Sequence, residues 1–269
     1  MASSQNHLYS PSGREEFPHY IEFRNVYKTF DRPVLKGISF CVDAGQTLAV
    51  IGRSGVGKSV SLNLIMGFLK PDSGQIIVAH TDISTMSEEQ LWQIRRKVTM
   101  VFQSGALFDS LTVGENIEFA LEACRTCSGK SQEEMARSLL KRVGLEDVQN
   151  AYPSDLATGY KRTVAIARAL AAQPDCILYD EPTTMVDPIM SDHLSNLMLR
   201  LKKDMKLTAV VVTHDLDLMR KVADSVVFLY NGETIYFGPV NKLETCDHPH
   251  VKQFLAMDRV EIAGKIEET

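Results

Sequence analysis

From Ile21 to Ile51 apolar and polar positions alternate through runs rich in β-formers, IEFRNVYKTF, VLKGISFCV and QTLAVI. That period of two predicts strands, the last of them apolar enough to be buried on both faces. Gly52 to Ser59 breaks the pattern as a loop, and Val60 to Leu69 takes up helical spacing. Pro71-Asp72-Ser73-Gly74 reads as a turn and QIIVAH as the next strand. Ser87 to Gln90 has the form of a capping box at a helix start, and VTMVF (98–102) is a buried strand. From Ser104 to about Gln173 the chain is amphipathic and helical in period, without a strong strand. Short β-branched runs then return, CILYD (176–180) and AVVVTH (209–214), separated by a helix from about Ile189 to Lys206. Two strand-rich blocks around a helical insert predict an α/β domain over residues 21–258, with a helical subdomain at about 104–173. Residues 1–20 read as a flexible leader and 259–269 as a polar tail.

Composition narrows this without changing it. The 269 residues are 44% hydrophobic and 23% charged, with a net charge of −5 and both signs interspersed. That suits one globular unit and gives no basic footprint for nucleic acid. No apolar run approaches the roughly 20 residues of a membrane-spanning helix, and the N-terminus has no signal-peptide core. Cys124 and Cys127 form a CxxC without a second pair or a leading strand, which reads as coincidence. His248-Pro-His250 reads as a turn for want of a third ligand.

The chemistry concentrates at strand ends. Gly52-Arg53-Ser54-Gly55-Val56-Gly57-Lys58-Ser59 fits G-x-x-x-x-G-K-S/T, leaving a predicted strand and opening a predicted helix at Val60. Glycines let backbone N–H groups turn inward around phosphate oxygens at a helix N-terminus. Lys58 is placed to reach the β- and γ-phosphates and Ser59 to bind Mg²⁺. The strand CILY ends in Asp180-Glu181. The first carboxylate suits Mg²⁺ and the second suits polarisation of an attacking water. His214 ends another apolar strand, where a histidine either caps the following helix or contacts a γ-phosphate.

In this order the motifs resemble the ATP-binding subunits of ABC transporters, over nearly all of Ile21 to Phe254. Walker A lies at 52–59, a Q-loop glutamine at Gln103, a signature region at 156–173, Walker B at Asp180, and VAIARALAAQPDCILYDEPTT joins the last two. The resemblance implies a RecA-like P-loop core with an antiparallel β subdomain and an inserted α-helical subdomain, binding ATP and Mg²⁺. It implies Glu181, His214, Lys58 and Gln103 as catalytic groups, and Ser59, Gln103 and Asp180 at the metal. Nucleotide contacts would come from 52–60, from Phe30 (or Tyr27) stacking on adenine, and from Leu156, Ala157, Thr158, Gly159 and Asp187. It implies further a second ATPase chain facing the first head to tail, a membrane permease, and a peripheral place at the cytoplasmic face of the inner membrane.

The chain departs from that family at two points. Where the signature usually reads L-S-G-G-Q/M, this one has Leu156-Ala157-Thr158-Gly159-Tyr160, losing a hydroxyl and one glycine. Met185-Val186 stands where Gly-Leu is usual. Slow hydrolysis, or a nucleotide-switched module with little hydrolysis, is therefore an alternative reading. The stretch VFQSGALFDSLTVGEN (101–116) and HPHVKQFL (248–255) are similar to the ATPases of Mla/Mce-type lipid transporters. That similarity implies phospholipid trafficking with a periplasmic Mce-type lipid-binding partner. The ATPase of another small-molecule ABC transporter is the alternative.

Overall fold

The computed structural model of the protein describes residues 17–125 and 131–256. Most of the predicted leader (1–16), Cys127 and the predicted tail (259–269) lie outside the described residues. Tyr20, at the end of that predicted leader, is buried, and its N–H donates to the Val42 carbonyl at 2.9 Å. Its partner strand gives it a place that the polar N-terminal sequence does not advertise.

The alternating segments at the start form β1 (Ile21–Thr29) and β2 (Pro33–Val42), an antiparallel pair. β3 (Thr47–Ile51) is buried at all five positions, as its unbroken apolar run requires. α1 (Lys58–Ile65) follows the glycine-rich loop. It opens two residues before the predicted start and ends earlier, because Gly67 turns the chain at φ 66°. β4 (Ser73–Val78) and the short β5 (Thr81–Asp82) complete an antiparallel sheet in the order β2-β1-β4-β5. α2 (Glu88–Lys97) starts at the predicted capping box, with both the Ser87 and the Gln90 bonds formed.

β6 (Val98–Val101) is followed by α3 (Val113–Cys124), α4 (Gln132–Val143) and α5 (Thr158–Leu170), with no strand among the described residues between β6 and β7 (Cys176–Asp180). Then come α6 (Pro188–Met205), β8 (Thr208–Val212), α7 (Leu216–Val222), β9 (Ser225–Tyr230) and β10 (Glu233–Pro239). The second sheet runs β10-β9-β3-β8-β7-β6, parallel from β9 to β6 with β10 antiparallel at its edge. This is the expected α/β cassette: a parallel P-loop core, an antiparallel sheet and a helical cluster.

Three apolar clusters hold it together. One joins the antiparallel sheet to α1, α2 and one face of the parallel sheet. A second joins α3–α6 to the opposite face, and a third covers β9 with residues of the C-terminal segment 249–256. In a parallel sheet all strands point the same way, so the loops after β3, β6, β7 and β8 emerge at one edge. Those loops carry the glycine-rich sequence, Gln103, Asp180-Glu181 and His214.

Candidate functional site

The turn between β3 and α1 is shaped by glycines at positive φ: Gly52 (144°), Gly55 (79°) and Gly57 (105°). A Cβ at Gly52 would stand 2.3 Å from the Leu229 carbonyl oxygen, and one at Gly57 2.5 Å from Leu35 Cδ2. Neither position has room for a side chain. Gly55 instead faces open space, with nothing within 4 Å of its Cβ position. The loop is thus wedged from behind by β9 and β2 while its outer side stays clear, the form a phosphate cradle needs.

Lys58 is buried, and a buried ammonium must find acceptors. Its Nζ donates to the carbonyls of Gly52 at 2.8 Å and Arg53 at 3.3 Å, and lies 3.6 Å from Glu181 Oε1. Ser59 Oγ donates to Asp180 Oδ1 at 2.9 Å across 121 residues of sequence. β7 brings Asp180 there because it pairs with β8, which in turn pairs with β3. Burial pushes the Asp180 carboxyl above its ordinary range; the Ser59 bond opposes this, the Glu181 charge reinforces it and Lys58 opposes it.

Glu181 is the first residue after β7 and sits at φ 48°, an uncommon conformation for a residue with a side chain. Its N–H donates to the Val212 carbonyl at 2.9 Å, which fixes the turn against β8. Its Oε2 accepts from the His214 backbone N–H at 3.3 Å and from the Thr184 hydroxyl at 3.2 Å, and His214 Nδ1 lies 2.8 Å away. Lys58, Ser59, Asp180, Glu181 and His214 are therefore one connected polar network. Thr184 is a member that the sequence reading missed, although its place in the run EPTT was a signal. So was Thr183, whose hydroxyl donates at 2.8 Å to Asp215, the residue that caps α7.

The other expected residues lie apart from this network. Gln103 is exposed in the turn two residues beyond β6, the strand that pairs with β7. Phe30 is half-exposed on the β1–β2 hairpin, whose Val34 and Leu35 back the glycine loop at Gly57. Tyr27 lies within β1 beside Gly37. Asp187 caps α6, accepting from the Met190 N–H at 2.9 Å. Leu156, Ala157, Thr158 and Gly159 lead into α5, where Gly159 packs so tightly on Met190 that a Cβ would stand 1.9 Å from its Cγ. Among the described residues, no hydrogen bond or ion pair joins 156–159 to the network around Lys58. The segment 156–159 and that network are separate within one chain.

The donor set fits Mg²⁺ with a nucleoside triphosphate. Ser59 and Asp180 present two hard oxygens side by side, the ligand type this ion takes alongside phosphate oxygens. The open cradle at Gly55 and the buried cation of Lys58 suit phosphate.

Fold and site together define a P-loop nucleotide-binding protein. A model of the ABC transporter family matches residues 35–184, more than half the chain, and the chain belongs to that family. It is 36% identical over 244 residues to the methionine import ATP-binding protein MetN 2 of Pseudomonas entomophila, covering 88% of this chain and 73% of that one. It is likewise 36% identical over 252 residues to the chloroplastic protein TRIGALACTOSYLDIACYLGLYCEROL 3 of Arabidopsis thaliana, covering 87% of this chain and 72% of that one. Among solved structures it is similar to the dimeric post-hydrolysis state of the ATP-binding cassette MJ0796 bound to ADP and Pi. There the identity is 32% and the TM-score 0.75, over 82% of this chain and 98% of that one. The chain is thus an ATP-binding cassette and a transport-coupled ATPase that works on ATP with Mg²⁺.

Proposed function

We propose that the network around Lys58 and Glu181 performs the hydrolysis, and that it does so between two copies of this chain working against a separate membrane permease, at the cytoplasmic face. The single observation that carries this is the connection of Lys58, Glu181 and His214 through one carboxylate. In-line attack on a γ-phosphate needs a cation on the phosphate, a base for the water and a donor that holds the base. Lys58 exchanges its carbonyl partners for phosphate oxygens. Glu181 accepts a hydrogen bond from the attacking water, with His214 and Thr184 fixing its orientation. Ser59 and Asp180 hold Mg²⁺, which when bound neutralises charge on the β- and γ-phosphates. Phe30 stacks on the adenine, and Gln103, at the same sheet edge as Asp180, links the site to the helical cluster.

Leu156 to Gly159, with Asp187 alongside, serve the site of the partner chain. The separation of this segment from the Lys58 network within one chain supports this, and so does the dimeric form of the similar cassette MJ0796.

For the cargo, the relatives named for methionine import support a small-molecule transporter more strongly than lipid trafficking. The lipid reading, with its Mce-type periplasmic partner, keeps one specific support. The Arabidopsis relative bears the name of a galactolipid. The test is Mg²⁺-dependent ATP hydrolysis by the complex purified with its own permease, wild type beside Glu181→Gln, in lipid of defined composition with and without added methionine. Loss of turnover by about a hundredfold or more in the variant is expected if Glu181 acts as base. Stimulation by methionine favours the first cargo reading, and stimulation by phospholipid with none by methionine favours the second. Wild-type turnover in Glu181→Gln contradicts the assignment of the base.

A further inference from the structure

On the proposed function Phe30 carries the adenine, yet the core does not hold its ring. Phe30 is half-exposed and stands outside the three apolar clusters. Its N–H donates to the Arg32 carbonyl at 3.1 Å, a bond within the β1–β2 turn itself. A ring and backbone that are loose before binding must be ordered when a base stacks, and that ordering weakens affinity. The residues just before Phe30 therefore decide how well its ring is prepared.

Asp72, in the turn that leads into β4, bonds to three successive residues there. Its N–H donates to the Tyr27 carbonyl at 2.9 Å. Its Oδ1 accepts from Lys28 Nζ at 2.8 Å and its Oδ2 from the Thr29 N–H at 2.6 Å. Lys28 Nζ in turn lies 5.6 Å from the centre of the Phe30 ring, within cation–π range. The Lys28 bond, and then that from Thr29, hold the Asp72 carboxyl below its ordinary range.

Docking of the turn onto β1 does not require this carboxylate. β1 and β4 pair up to Tyr27 and Ser73 without it. Gly74 already lies so close to β1 that a Cβ would stand 2.3 Å from the Asn25 carbonyl oxygen. The carboxylate reaches past that last pair, to Lys28 and Thr29, which β4 does not pair. On its other side Thr29 faces Pro33, which has no N–H to extend the β1–β2 ladder. An exposed ion pair alone stabilises little. A carboxylate holding both residues before a ring instead fixes where that ring begins.

We propose that Asp72 is a positioning residue for the nucleotide base: it clamps Lys28 and Thr29 so that the Phe30 ring is held ready to stack on adenine. This rests on the reading of Phe30 as the adenine contact. Asp72 acts through that ring and not by touching the nucleotide, so its effect is confined to ligands that carry a base.

The test is calorimetry on the full chain with Mg²⁺-ATP and with Mg²⁺-tripolyphosphate, which offers the glycine loop a phosphate chain without a base. Asp72→Ala should weaken Mg²⁺-ATP about threefold or more and leave Mg²⁺-tripolyphosphate unchanged. Lys28→Met, which cuts one arm of the clamp, should show the same selective loss. Phe30→Ala should weaken Mg²⁺-ATP about threefold to tenfold. Asp72→Ala added to Phe30→Ala should weaken it no further, because the ring it acts through is gone. If Asp72→Ala leaves Mg²⁺-ATP affinity unchanged, weakens tripolyphosphate equally, or adds its full effect to Phe30→Ala, the proposal is overturned while Phe30 keeps its role. Unchanged Mg²⁺-ATP affinity in Phe30→Ala overturns the stacking itself, and the role of Asp72 with it.

Discussion

The N-termini of α1 and α5 share a peculiarity and differ in everything around it. Of the helices α1 to α7, α2, α3, α4, α6 and α7 each begin with a side chain accepting from the first turn. α1 begins at Gly57 and α5 at Ala157, and neither has a side-chain cap. A helix start without a cap leaves backbone N–H groups free for an anion or for water. At α1 the chain itself supplies the rest: Lys58, Ser59, Asp180, Glu181 and His214 converge there. At α5 it supplies a packing partner, Met190, and no charged group of that network. On the proposed function one uncapped start is a nearly finished site and the other is half of one, completed by a second copy.

The comparison can be broken most severely at Gly159. Its replacement by alanine drives a methyl into Met190 and moves the start of α5 away from α6. Overpacking of this kind costs about 1–3 kcal/mol, and we expect turnover to fall by tenfold or more, because α5 no longer meets the facing site. Adding Met190→Ala should restore both properties, and a thermal melt beside a hydrolysis assay of the single and double variants checks this. A smaller effect is expected from Ala157→Ser, which gives α5 the cap it lacks. A serine N-cap is worth about 1 kcal/mol, a rise in melting temperature of about 2–4 °C for a chain of this size. On the proposed function turnover should rise as well, since the added hydroxyl would also face the partner's phosphate.

The smallest effect concerns α1's side. Burial raises the Asp180 carboxyl in the folded chain above its unfolded value. That group therefore favours the fold at pH below the unfolded value, and its contribution is lost as pH rises through the folded one. Asp180→Asn has no such loss. Without nucleotide, its melting temperature should gain on wild type as pH climbs out of the carboxylate range. With Mg²⁺-ATP the order should reverse, since the variant loses a metal ligand.

The glycine loop, Asp180-Glu181 and the parallel strands β3, β6, β7 and β8 were legible because each couples an apolar run to an abrupt polar ending. The last hairpin was not read, although its signal was present. SVVFLY (225–230) is followed by Asn231-Gly232, and both residues take positive φ, 50° and 84°, as a tight hairpin turn demands. The missing hydroxyl of the signature was visible as Ala157, but the absence of any substitute cap needed coordinates. The burial of Tyr20 was invisible, because it depends on pairing with Val42 and on the ends of β7 and β8, far along the chain. The bond from Thr184 to Glu181 was equally hidden, since it arises from the turn that places Glu181 at positive φ.

The claim that α5 completes the site of a second copy is tested most directly by the mass of Glu181→Gln in solution, measured by analytical ultracentrifugation with and without Mg²⁺-ATP. The account predicts a single chain without nucleotide and a pair with it. It predicts also that the pair disappears when Gly159→Ala is added. A variant that binds Mg²⁺-ATP and stays a single chain at high protein concentration would contradict it.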